Sequence, residues 1–301
     1  MKKLFLIFSI MMLIFCSACT SDVNTEEENN AAVGREEMAQ IPMEITDVSA
    51  TEKKIFFYRD DMKIFGKLYL PEGEGPFPVV IFSNGFSGSY TSTEGYAKKL
   101  VSNGIAGVVF DFIGGSGINA SDGTITDMSV LTQVADLNIV LDAISSLPEI
   151  DSNNIFLWGH SFGGLVSTYV AAQRPDEVKG LIVLEPSYQM HDQFLELYPE
   201  GSEIPDVLYT PTYIGKIFVE DILSFDIYDM MADYDKEVLL LQGTVHPAET
   251  GELKEKYFGR AMDTFPNMQL VTVEGADHSF SGSAGEEMLN LTIGFVNENM
   301  D

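Results

Sequence analysis

Six short, almost wholly apolar runs, at residues 79–83, 106–111, 155–158, 180–184, 238–242 and 270–273, recur along this chain and alternate with helical patterns. A strand with one wet face alternates apolar and polar residues, whereas these runs are apolar throughout, so each reads as a strand covered on both sides. The alternation therefore predicts an α/β fold, a mostly parallel sheet with helices on both faces. Val130, Leu131, Val134, Leu137, Leu141 and Ile144 recur at three- and four-residue spacing and present one apolar stripe to such a sheet. A shorter helix over 93–102 is closed by Asn103-Gly104, where glycine accepts the left-handed C-terminal turn. The last helix, over 286–297, sets Leu289, Ile293 and Val296 on one face. Upstream, the runs 54–59 and 63–70 flank Asp60-Asp61-Met62 in the manner of a hairpin.

With 301 residues, 45% of them hydrophobic, the chain can bury a large core, which excludes disorder throughout. Its 17 Lys and Arg face 46 Asp and Glu, a net charge of −29. That balance leaves too few cations to neutralise phosphates, so nucleic acid and anionic lipid headgroups are not expected partners. Both cysteines, Cys16 and Cys19, fall in the N-terminal apolar stretch, so the rest of the chain has no disulfide. Residues 1–18 read as an export signal: Lys2 and Lys3 precede an apolar run over 4–15, and Ser17-Ala18 form a small-residue exit. The Ser-Ala-Cys ending resembles a bacterial lipoprotein signal, apart from Cys16 where such signals carry Leu. The resemblance implies a lipid on Cys19 and an extracytoplasmic, membrane-anchored protein; an ordinary cleaved signal would make it secreted. Residues 19–50 are polar and acidic without apolar periodicity, a disordered tether, and the folded domain is expected over 51–301.

The longest interval between apolar runs breaks the rhythm. A structureless loop of that length is unlikely in a compact domain, and this one carries many aromatics punctuated by Pro199, Pro205 and Pro211. It reads as a small inserted cap over about 187–235, partly helical over 215–231.

Gly159-His160-Ser161-Phe162-Gly163-Gly164 follows the 155–158 run and precedes a helical pattern over 165–173. A serine hydroxyl is a weak nucleophile unless a base takes its proton and the backbone holds it exposed. Small residues on both sides permit a tight strand-to-helix turn that projects the hydroxyl, and the helix start offers N–H groups to an oxyanion.

In this context the sequence resembles the α/β-hydrolase superfamily, and within it the bacterial carboxylesterases of the cinnamoyl and feruloyl esterase type. Besides the serine motif, the matching residues are 83–88 (Ser-Asn-Gly-Phe-Ser-Gly), Asp111 with Gly114-Gly115-Ser116-Gly117, and Gly275-Ala276-Asp277-His278. The resemblance implies an eight-stranded, mostly parallel sheet with a cap inserted after its sixth strand. It also implies Ser161 as nucleophile, His278 as general base, and the N–H groups of Phe86 and Phe162 as oxyanion donors. Asn84 stands where relatives have His, a change of small consequence for a main-chain donor.

The triad acid departs from the pattern, because Gly243-Thr244-Val245-His246 puts a histidine where relatives carry Asp. An imidazole cannot stabilise an imidazolium by charge. Glu185, ending the 180–184 run within Leu-Glu-Pro, is the leading candidate, since a carboxylate at the end of a buried strand needs a partner. The Leu-Glu-Pro segment resembles the Leu-Asp-Pro at which pancreatic-type lipases carry their acid. Glu249, three residues beyond His246, is the alternative, and a site decayed into a binding pocket is a third reading. Asp277 adjoins the histidine in sequence, where neighbouring side chains diverge.

The expected function is hydrolysis of a small-molecule carboxylic ester through an acyl-enzyme on Ser161, without a cofactor. A serine peptidase of the same fold and a noncatalytic surface-binding protein are the other readings. No Cys-x-x-Cys or His-Glu-x-x-His spacing points to a metal, and no feature specifies an oligomeric state.

Overall fold

The computed structural model describes residues 42–115, 118–209, 212–245 and 251–301. Cys16 and Cys19 with the export-signal segment, most of the tether, Ser116, Gly117, His246 and Glu249 lie outside the described residues. Three antiparallel strands come first: β1 (Met43–Asp47), β2 (Glu52–Arg59) and β3 (Met62–Tyr69). Then β4 (Phe77–Ser83), β5 (Ala106–Phe110), β6 (Ile150–His160) and β7 (Gly180–Leu184) alternate with α1 (Glu94–Leu100), α2 (Val130–Ser145) and α3 (Phe162–Gln173). The cap follows, with α4 (Met190–Leu197), the hairpin β8 (Val207–Tyr209) and β9 (Tyr213–Gly215), α5 (Lys216–Ile222) and α6 (Ile227–Met231). Last come β10 (Glu237–Gly243), α7 (Gly251–Thr264), β11 (Met268–Val273) and α8 (Ser283–Asn299).

Nine strands form the main sheet in the order β1-β2-β3-β5-β4-β6-β7-β10-β11, parallel from β5 onward. Strand β6, which leads into Ser161, is therefore interior, and all the parallel strands point their C-terminal ends the same way. Both faces are covered, which is why these strands lack a polar face. In β4, Val79 and Ile81 join the core beneath α2 and α3, while Val80 and Phe82 join the core beneath α1 and α8. In β6, Ile155 and Leu157 face the first core, Phe156 and Trp158 the second. Each fully buried side chain of this kind contributes about 1.5–3 kcal/mol relative to exposure. The start of α2 is fixed by Ser129, whose Oγ accepts from Thr132 N–H while Thr132 Oγ1 accepts from Ser129 N–H, a reciprocal capping box.

Two expectations need correction. The sheet has nine strands rather than eight, and the tether does not extend to residue 50, because β1 pairs with β2 from Met43↔Phe57 to Asp47↔Lys53. β1 is an edge strand whose residues are almost all exposed, so it is held by backbone hydrogen bonds and leaves no hydrophobic pattern to read. The segment read as a cap follows β7, the sixth strand once β1 is set aside, and holds α4, the β8-β9 hairpin, α5 and α6.

Candidate active site

Strand β6 ends at His160, helix α3 begins at Phe162, and Ser161 forms the turn between them with φ 54° and ψ −118°. That backbone is strained for a residue bearing a Cβ, and its effect is to lift the side chain off the sheet edge. Close approach dictates the flanking glycines. A Cβ on Gly159 would stand 2.4 Å from Gly163 O, and one on Gly163 would stand 2.3 Å from Ser83 O. Hydrogen bonds clamp the turn from the next strand, with Ser161 N–H donating to Leu184 O at 2.8 Å and Ser187 N–H donating to Ser161 O at 3.0 Å. Ser187 also brings its Oγ to 3.4 Å from Ser161 Oγ.

Phe162 is the first helical residue, so its N–H has no acceptor within the helix. Phe86 follows β4 in a loop pressed against the turn: a Cβ on neighbouring Gly85 would stand 3.1 Å from His160 Nδ1 and 3.4 Å from Ser161 Cβ. Neither the Phe86 nor the Phe162 N–H has an acceptor among the turn and loop hydrogen bonds of the described residues. The two side chains meet edge-to-face at 6.0 Å, and Phe218 of the cap helix α5 packs on both, stacked on Phe162 at 5.3 Å and edge-on to Phe86 at 5.7 Å. Asn84 is buried, donating to Phe110 O and accepting from Ser92 Oγ, which holds the loop from below. Asp111 is fully buried and accepts from Tyr90 and Ala120 N–H, each at 2.6 Å, while burial raises its pKa above the usual range.

His278 lies after β11 in the loop that leads into α8, and its ring packs 4.8 Å from that of His160, the residue before Ser161. His160 Nε2 donates to His278 O at 2.6 Å, which leaves Nδ1 as the bare nitrogen of the neutral ring. Burial, reinforced by the neighbouring His278, pushes the His160 pKa down to about 4. Asp277 points away, its Oδ1 capping Ser279 and Ser281 N–H. A cavity of about 120 Å³ beside the pair is lined by Asn84, Tyr96, Trp158, His160 and Met288, among others.

Glu185 is buried, with φ 43°, at the end of β7. The sequence argument that it needs a partner holds, but the partner is Lys254 of α7, whose Nζ lies 2.6 Å from Glu185 Oε1. The same oxygen accepts from Gly243 N–H at 2.6 Å, and Oε2 has no hydrogen-bond partner among the described residues. Sequence reasoning missed Lys254, although a signal was present: it lies three, four and seven residues before the buried Tyr257, Phe258 and Ala261, on the inner face of α7. A lysine in that register marks a buried cation in need of a carboxylate.

A mostly parallel sheet with helices on both faces, a serine on a strained strand-to-helix turn and a histidine loop beside it make up an α/β-hydrolase fold. Residues 74–211 match the family model described as serine aminopeptidase, S33. Among curated proteins the chain is similar to the quorum-quenching protein AidA of Acinetobacter baumannii, 27% identical over 40% of this chain and 39% of that one. It is also similar to the esterase FrsA of Escherichia fergusonii, 28% identical over 41% of this chain and 28% of that one. The chain thus matches well under half the length of these relatives. Among solved structures, Est1E of Butyrivibrio proteoclasticus with ferulic acid bound superposes with a TM-score of 0.72 at 24% identity, covering 81% of this chain and 98% of that one.

Proposed function

We propose that this protein is a serine esterase, in which Ser161 attacks an acyl carbonyl and His278 takes its proton. The observation that carries the reading is the strained turn at Ser161, which costs about 1–3 kcal/mol and is hard to explain unless the hydroxyl must be presented. The tetrahedral oxyanion would rest on the N–H groups of Phe86 and Phe162, and water would then release the acyl group. The esterase name of the similar protein FrsA favours an ester over an amide. We give the orienting carboxylate to Glu249 rather than Glu185. Glu185 is already engaged by Lys254 and Gly243, and an ammonium 2.6 Å away cancels most of the field that a lone carboxylate would put on an imidazolium. Anchoring through a lipid on Cys19 belongs to the same proposal, and loss of fatty-acid incorporation in Cys19→Ala is its test.

The experiment pairs a fluorophosphonate probe with ester and amide reporters on wild type, Ser161→Ala, His278→Ala and Glu249→Gln. Labelling and ester hydrolysis are expected in wild type, neither in Ser161→Ala, and a loss of about 10³–10⁴ in kcat in Glu249→Gln. Folded wild-type protein that is neither labelled nor active would return the chain to the binding-protein reading, and faster amide than ester cleavage would make it a peptidase.

A further inference from the structure

A circuit of hydrogen bonds runs from the nucleophile through Glu185 to the loop of the base and back. Its first link is Ser161 N–H to Leu184 O, with Ser187 N–H to Ser161 O beside it, so the segment 184–187 is fastened to the turn at both ends. Glu185 lies inside that segment and is 3% exposed. Its Oε1 gathers Gly243 N–H and Lys254 Nζ, each at 2.6 Å, while the same ammonium donates to Gly243 O at 2.8 Å. Gly243, at the end of β10, is therefore gripped on both its amide and its carbonyl. The turn it begins leans directly on the histidine loop. Val245 N–H donates to Ala276 O at 2.9 Å, Gly275 N–H donates to Thr244 Oγ1 at 2.8 Å, and a Cβ on Gly243 would stand 2.3 Å from Ala276 O. Two residues past Ala276, His278 O accepts from His160 Nε2, which closes the circuit at the residue before Ser161.

Desolvating a carboxylate and an ammonium costs several kcal/mol per ion, and a well-packed apolar pair is often as stable, so stability alone does not account for this pair. What an apolar pair cannot do is grip both backbone polar groups of one residue, here the N–H and the carbonyl of Gly243. We propose that Glu185 and Lys254 are positioning residues: together they fix the turn at 243–245 and, through Ala276, set the place of His278 relative to Ser161. The proposal rests on the esterase reading of Ser161 and His278, and in it neither Glu185 nor Lys254 touches the substrate. A displacement of about 1 Å in such an arrangement costs about 10²-fold in rate, which sets the scale of the expected effect.

The test compares wild type with Glu185→Gln, Lys254→Met, Lys254→Arg and the Glu185→Gln/Lys254→Met double variant. It reads kcat and KM on an ester reporter, fluorophosphonate labelling of Ser161, and the melting midpoint. Each of Glu185→Gln and Lys254→Met should lower kcat by about 10- to 100-fold in folded protein, with KM within about threefold of wild type. The double variant should be no slower than the slower single, because both remove one device, and Lys254→Arg should recover to within about fivefold of wild type. Three results overturn the proposal: folded single variants with wild-type kcat; losses that multiply in the double variant; or a loss beyond about 10³ in Glu185→Gln alongside wild-type kcat in Lys254→Met, which would make Glu185 the triad acid. If Lys254→Met does not fold, Glu185→Gln and Lys254→Arg still decide the matter. Wild type that takes no label and cleaves no ester removes the esterase reading and the positioning role together, whereas a labelled, active wild type with unaffected variants removes the positioning role alone.

Discussion

Ser161 and His160 occupy adjacent positions and meet opposite physical demands. At Ser161 the backbone is strained, with φ 54° and ψ −118°, and the strain remains when the hydroxyl is removed but not the Cβ. Ser161→Gly should therefore melt above Ser161→Ala by about 1 kcal/mol equivalent, after allowing for the greater freedom of glycine in the unfolded chain, with both variants inactive. Calorimetry of the two proteins decides it, and equal midpoints would mean the turn carries no strain. His160 is held neutral, its pKa pushed to about 4 by burial and by its neighbour His278. An unfolded histidine titrates near 6.5, so between about pH 6.5 and 4 the unfolded chain takes up a proton that the folded ring refuses. Stability should fall as the pH drops through that window, by about 1–3 kcal/mol from this ring. Melting midpoints of His160→Asn should decline less steeply over the same range; an unchanged slope would show that the folded ring protonates freely. At this scale the serine motif was legible because its glycines are dictated by contacts within a few residues and with one neighbouring strand. The pairing of Lys254 with Glu185 was not, because the two are 69 positions apart and only the fold brings them together.

Among the elements, the cap helix α5 has the clearest consequence for the site. Phe218 packs against both Phe86 and Phe162, and against Phe194 of α4 at 5.8 Å, so one ring ties the cap to both residues whose N–H groups are assigned to the oxyanion. Phe218→Ala should cost about 3–5 kcal/mol of stability and lower kcat, with Phe218→Leu intermediate in both. Urea unfolding followed by ester kinetics at a temperature where both variants are folded checks this, and a wild-type kcat in folded Phe218→Ala would remove the link. The parallel strands could be read from sequence because burial on both faces leaves a continuous apolar run. β1 could not be, since an exposed edge strand is specified by backbone pairing and not by side chains. The cap showed as an interval rich in aromatics, yet its hairpin β8-β9 consists of two three-residue strands, too short for any period to register. Helix α7 carries a readable inner face, Tyr257, Phe258 and Ala261, at three- and four-residue spacing.

The whole chain carries a net charge of −29, and like charges drawn together by folding repel more strongly than in the expanded chain. The Debye length shrinks from about 30 Å at 0.01 M salt to about 3 Å at 1 M, so added sodium chloride should raise the melting midpoint at neutral pH. A scan at several salt concentrations tests this, and a midpoint that stays flat or falls would place the dominant electrostatics in specific ion pairs such as the enclosed Lys254–Glu185. The chain holds one tryptophan, Trp158, on strand β6 three residues before Ser161. It is buried against Phe82 at 5.1 Å, borders the cavity shared with His160, and its indole N–H has no partner among the described residues. Tryptophan emission from this protein therefore comes from a single indole on the strand that leads into Ser161. Acylation and its reversal should be visible in real time as a change in emission, without any dye being attached.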